Sequence, residues 1–110
     1  MTTIFEKIIA GEIPCDKVFE NERILAFNDI APQAPVHVLI IPKKPIENIA
    51  AASPEDQAVL GEILLIAKEI AKKHNLESFR LITNTGRQSG QEVFHLHFHL
   101  LGGRRLGSLG

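Results

Sequence analysis

Residues 95 to 101 read His-Leu-His-Phe-His-Leu-Leu and run into Gly102 and Gly103. In an extended chain successive side chains point to opposite faces, so His95, His97 and His99 share one face while Leu96, Phe98 and Leu100 share the other. The segment reads as a strand whose apolar side is buried and whose other side carries three imidazoles in a row. No packing requirement calls for three polar rings in register, and each needs hydrogen-bond partners if it is covered. The row reads as chemistry.

The rest of the chain supplies a scaffold for that strand. Thr3 and Glu6 have capping-box spacing, and Ile4, Phe5, Ile8 and Ile9 form an apolar stripe, which predicts a short helix ending near Gly11. Residues 17–20 and 24–27 flank the polar turn Asn21-Glu22-Arg23 as a hairpin, and the Val36 to Ile41 run predicts a buried strand interrupted by His37 and stopped by Pro42. Ser53 as N-cap, Pro54 at the first helical position and acids behind it open the clearest helix, which runs to about His74. Its stripe is Val59, Leu60, Ile63, Leu64, Ile66, Ala67, Ile70 and Ala71. Phe79 to Thr83 and Val93 to Leu101 predict two more strands, joined by a loop of small and polar residues from Asn84 to Gln91. Strands that arrive as neighbours with short links, with helices grouped rather than alternating, predict an α+β fold. Its sheet is mainly antiparallel and five-stranded, with one long and one or two short helices.

A chain of 110 residues with 45% hydrophobic residues fits one domain, residues 1–110, with a real core. A formal net charge of -1 offers no general attraction to nucleic acid or to an anionic membrane, so neither is expected as a partner and any phosphate recognition must be local. The single cysteine, Cys15, cannot close an intrachain disulfide, and the N-terminus lacks a signal-peptide pattern; the expected compartment is the cytoplasm.

Two chemistries suit clustered histidines. Histidines two apart on a strand lie about 6.5 Å apart and the outer pair about 13 Å, whereas zinc holds nitrogen at about 2.0 Å, so one ion cannot easily take all three. Two of them with His37 could still build a three-histidine catalytic site, and a metal-dependent hydrolase is the alternative. In the other chemistry the imidazoles serve as nucleophile, orienter and donor. A neutral imidazole attacks phosphorus readily when its second nitrogen donates to a fixed acceptor. The glycine-containing loop before the strand offers donors for phosphate oxygens.

The residues His95-Leu96-His97-Phe98-His99-Leu100-Leu101 match the signature of the histidine triad family of nucleotide hydrolases and transferases. Phe27 to His37 and Ile40-Ile41-Pro42-Lys43-Lys44 resemble that family's nucleoside-binding half. Asn84-Thr85-Gly86 and Gly90-Gln91-Glu92-Val93-Phe94 resemble its phosphate loop, and Leu101 to Arg104 its usual end. The resemblance is closest to the bacterial-type phosphoramidases of the nucleotide-binding branch.

It implies a hydrolase that cleaves purine nucleoside 5'-monophosphoramidates, or related mixed anhydrides, through a nucleotidyl-histidine and without a cofactor or metal. His97 would be the nucleophile and His99 would contact the phosphate, with His95 and His37 orienting the row. Asn84, Gly90, Gln91, Glu92 and Val93 would surround the phosphate and leaving group. Asp29, beside Ile30, would accept from the ribose, and Phe5, Ile8, Ile13, Phe27 and Leu39 would wall the base pocket. The resemblance also implies a homodimer that takes an AMP- or GMP-type substrate. A nucleotide-binding module without turnover would use the same pocket. Some family members have serine where this chain has Glu92, and a carboxylate cannot copy a hydroxyl's hydrogen bonding.

Overall fold

The computed structural model describes residues 2–110. Five strands, β1 (Lys17–Glu20), β2 (Ile24–Asn28), β3 (Val36–Pro42), β4 (Phe79–Ile82) and β5 (Phe98–Gly102), form one sheet in the order β1-β2-β3-β5-β4. Every neighbouring pair is antiparallel, so the sheet is antiparallel throughout. The strands β1 to β3 follow one another as a meander. The chain then crosses one face of the sheet, lays β4 at the far edge and returns with β5 into the gap beside β3.

Both faces of the sheet are covered, which explains the near-continuous apolar run in β3. Val38 and Ile40 face a large core that also holds Ile63, Ile66 and Ile70 of the long helix α2 (Gln57–Lys73), together with Leu96, Phe98 and Leu100. Leu39 and Ile41 face a smaller core with Phe5, Leu25 and Phe27. Phe5 arrives on the short helix α1 (Ile4–Ile9), whose reciprocal Thr3 and Glu6 cap fixes the helix start.

The long helix opens on a 3-10 turn at Pro54–Asp56 rather than in α geometry, and the buried Asp56 carboxylate accepts the Ser53 N–H at 2.9 Å and pairs with Lys44 at 2.6 Å. Its buried face is narrower than the sequence pattern implies. Leu64, expected in the stripe, is half exposed, and Leu65 beside it is more exposed still.

The last strand begins at Phe98 and not at Val93. Its ladder with β3 ends at the Ile40 and Phe98 pair, and β3 continues to Pro42 against β2 alone. Other bonds replace the ladder over residues 95–97. The Leu96 N–H donates to the Ile46 carbonyl at 2.6 Å, and the Thr83 hydroxyl donates to the His97 carbonyl at 2.8 Å. The alternation of faces survives this change. At the far end Gly103 has φ of +95°, and a Cβ there would lie 2.9 Å from the Cβ of Pro35, so glycine is required on both counts.

Candidate active site

His97 and His99 project from the face covered by α1, and His37 on β3 reaches them from the neighbouring strand. The hydrogen bonds assign the proton positions. His97 Nδ1 lies 2.7 Å from the main-chain carbonyl of His95, and a carbonyl only accepts, so Nδ1 carries the proton and Nε2 keeps its lone pair. His37 Nδ1 accepts the Gln33 N–H at 3.0 Å, which places the His37 proton on Nε2. That nitrogen lies 2.9 Å from His99 Nδ1 and 3.4 Å from the Asp29 carboxylate. His99 Nδ1 therefore accepts, and its own proton sits on Nε2. The result is one ring with a free lone pair, His97, beside one that offers an N–H, His99, with centroids 5.0 Å apart.

Packing holds these rings. Phe5 meets His97 edge-on with centroids 5.0 Å apart and meets Phe27 at 5.6 Å, so α1 backs the His97 ring. His95 is almost fully buried and donates from Nε2 to the Pro42 carbonyl at 2.7 Å. Its side chain ties the segment to the end of β3, while its main-chain oxygen orients His97. His95 Nδ1 is buried without a partner among the described residues.

Burial pushes His37, His97 and His99 below the ordinary histidine value. His97 is lowered chiefly by desolvation, and His37 likewise with Asp29 opposing the shift. His99 is held down to about 4 by desolvation first and then by His97 and His37. The rings are neutral at pH 7, as the tautomer assignment requires. We expect kcat/KM to stay flat from pH 8 to about 6.5 and to fall only below the unperturbed histidine value of about 6.5. Stability should follow. The unfolded rings take up protons below about 6.5 while the folded ones resist, so the urea midpoint should hold above that pH and drop as the solution is acidified toward 4.

A cavity of about 480 Å³ opens over these rings. Of the residues that the sequence singles out, Phe5, Ile8, Phe27, Asp29, Ile30, His37, Leu39, Asn84, Gly90, Glu92, Val93, His97 and His99 all line it. Ile30 is 99% exposed at its mouth. Asp29 both lines the cavity and closes a turn, accepting the Ala31 N–H at 2.8 Å, which leaves lone pairs on the carboxylate for a ligand. Three expected residues stand elsewhere. Pro14 and Cys15 take the wall position expected of Ile13. His95 lines a second cavity of about 660 Å³ that shares Ile4, Glu92 and Val93 with the first. Gln91 is buried, with its side chain turned into the protein. Gln33 sets the His37 tautomer, a role that the sequence does not signal: a glutamine in a proline-rich loop carries no mark of it.

Among the described residues, one group of three potential metal-ligand side chains, Asp29, His37 and His99, brings its ligand atoms within 4.8 Å of one another, and it includes neither His97 nor His95. Only one histidine of the row thus joins His37, with Asp29 in place of a second. Spacing along one strand does not report this group, because His37 reaches His99 from the adjacent strand, with ring nitrogens 2.9 Å apart.

The model of the HIT domain family matches residues 10–106. A purine nucleoside phosphoramidase of Escherichia coli K12 is 48% identical over 109 residues, covering 97% of this chain and 92% of that protein. An uncharacterized HIT-like protein of Synechocystis is 57% identical over 103 residues, covering 93% of this chain and 90% of that protein. Among solved structures, a HIT family hydrolase from Legionella pneumophila superposes with a TM-score of 0.94 at 48% identity, covering 96% of each chain. A histidine triad protein from Clostridium difficile gives 0.92 at 41% identity, covering 97% of this chain and 95% of that one. With the family model matched over residues 10–106 and relatives of 41 to 57% identity along nearly all of its length, the chain belongs to the HIT domain family.

Proposed function

We propose that the protein is a hydrolase of purine nucleoside 5'-phosphoramidates that works through a nucleotidyl-His97 intermediate. One observation carries the reading: the His97 Nδ1 proton is committed to the His95 carbonyl at 2.7 Å, which leaves the Nε2 lone pair on a ring that lines the cavity. The His97 Nε2 to phosphorus bond forms as the phosphorus to nitrogen bond breaks, and the leaving nitrogen takes up a proton from solvent water and departs as the amine. Water then cleaves the nucleotidyl-histidine and releases the nucleoside monophosphate. In this reading the neutral His99, whose Nδ1 accepts from His37 at 2.9 Å, donates its Nε2–H to a phosphate oxygen. The phosphoramidase of E. coli at 48% identity supports the choice of substrate.

The test is release of AMP from a model adenosine 5'-phosphoramidate. Steady turnover supports the reading; tight AMP binding with no turnover would leave a binding module. Sugar recognition gives a second readout. A buried acceptor left unpaired costs about 1 to 3 kcal/mol, so a 2'-deoxy substrate should lose roughly tenfold or more in kcat/KM, and Asp29→Ala should erase the difference. Equal handling of the two sugars by the wild type would remove Asp29 from ribose recognition.

We also infer a homodimer. Strand β4 is a sheet edge, Phe79 on it is 43% exposed, and Leu64 and Leu65 are 50% and 62% exposed on α2. Light scattering should return twice the 12.2 kDa chain mass, and a single-chain mass at micromolar concentration would reject the dimer.

A further inference from the structure

Gln91 lies between two residues of the nucleotide cavity, Gly90 and Glu92, yet it is only 2% exposed and points the other way. Its Nε2 donates to the Glu47 carbonyl at 2.8 Å and to the Val93 carbonyl at 3.1 Å. Its Oε1 accepts the Gly86 N–H at 2.9 Å and the Asn48 amide at 3.4 Å. A primary amide has two N–H donors and two acceptor lone pairs. All four are used inside the protein, so the side chain has nothing left for a phosphate oxygen.

What these bonds join is specific. Within the loop between β4 and β5, Gly86 and Val93 stand on either side of Gly90 and Glu92, which line the cavity. Glu47 belongs to the segment after β3, and its neighbour Ile46 accepts the Leu96 N–H at 2.6 Å, one residue before His97. The same short strap therefore holds the phosphate loop through Gln91 and holds the His97 segment through Leu96.

We propose that Gln91 is a positioning residue: its amide clamps the loop to the strap that also seats His97, and so sets the loop's reach to a phosphate bound at His97. The proposal rests on the assignment of this cavity to a nucleotide. Phe5 on α1, Phe27 on β2, Leu39 on β3 and Asp29 just after β2, the proposed base and ribose walls, make none of the clamp's hydrogen bonds.

The test compares AMP with adenosine, which lacks the phosphate, by calorimetry on the wild type, Gln91→Met and Gln91→Glu. The first variant removes every bond of the amide. The second keeps an acceptor for Gly86 and loses the donors to Glu47 and Val93, and it serves as the second variant should Gln91→Met fail to fold. Adenosine affinity should stay within about threefold while AMP affinity falls at least about tenfold, and phosphoramidate kcat should fall about 100-fold, the cost expected of a misplacement near 1 Å. Equal weakening of AMP and adenosine, or weakening of neither, would overturn the clamp. So would an AMP complex of the wild type in which the Gln91 amide has left Glu47 for a phosphate oxygen. A wild type that prefers AMP to adenosine but turns over no phosphoramidate would sink the proposed reaction alone, and the binding comparison would still decide the clamp.

Discussion

Replacing His97 with alanine should lower phosphoramidate turnover by about 10⁴-fold or more, because a covalent step has no fallback once its nucleophile is gone. AMP binding should change little. The proposed walls for base and ribose, Phe5, Phe27, Asp29 and Leu39, keep their own packing and hydrogen bonds without the ring. The variant does lose the edge-on contact with Phe5, so circular dichroism and a thermal melt should accompany the kinetics. His97→Gly leaves a space of imidazole size, and free imidazole should restore part of the turnover. Retention of more than a few per cent of wild-type turnover by His97→Ala would remove His97 as nucleophile.

This residue stands out in the sequence because of the alternation around it. Leu96, Phe98 and Leu100 lie in the core under α2 while His97 and His99 face the cavity, as a period of two requires. The pattern does not report the length of the partner strand. Residues 93–97 alternate like a strand but lie beyond the last β3 pair, so their bonds go to Ile46, Thr83 and Pro42 instead. In the same way, the apolar run of β3 is legible as a buried strand, and its one histidine points to company, because a polar ring between two cores needs partners.

Residues that act from outside the pattern are harder to see. Gln91 and Gln33 sit in polar loops, where glutamine is expected at the surface. One is a buried hub and the other offers only its main-chain N–H to His37. Ile13 and Cys15 are two positions apart in an irregular segment, and no periodicity says which of them turns toward the cavity. Hydrophobic periodicity reports the faces of regular elements. Main-chain donors and the direction of loop side chains are set by tertiary contacts, which a single sequence does not encode locally.

Excess EDTA should leave turnover intact, and this second result separates the covalent reading from a metal-dependent one. Asp29, His37 and His99 bring ligand atoms within 4.8 Å of one another, a separation that would suit an ion. The proton pattern opposes it. A neutral imidazole that binds metal through one nitrogen carries its proton on the other and donates it to an acceptor. His37 could meet an ion in this group only through Nε2, which would put its proton on Nδ1, 3.0 Å from the Gln33 main-chain nitrogen. Two donors would then face each other. His97 takes no part in such a site, so a metal mechanism also predicts that His97→Ala keeps its activity. Added zinc should inhibit, because the free Nε2 of His97 is the nitrogen that an ion can take without displacing a proton. A reaction quenched during turnover should contain an acid-labile, base-stable nucleotidyl group, and peptide mapping should place it on His97. Activity that vanishes with chelator and returns with zinc would overturn the covalent mechanism and make Asp29, His37 and His99 the catalytic ligands.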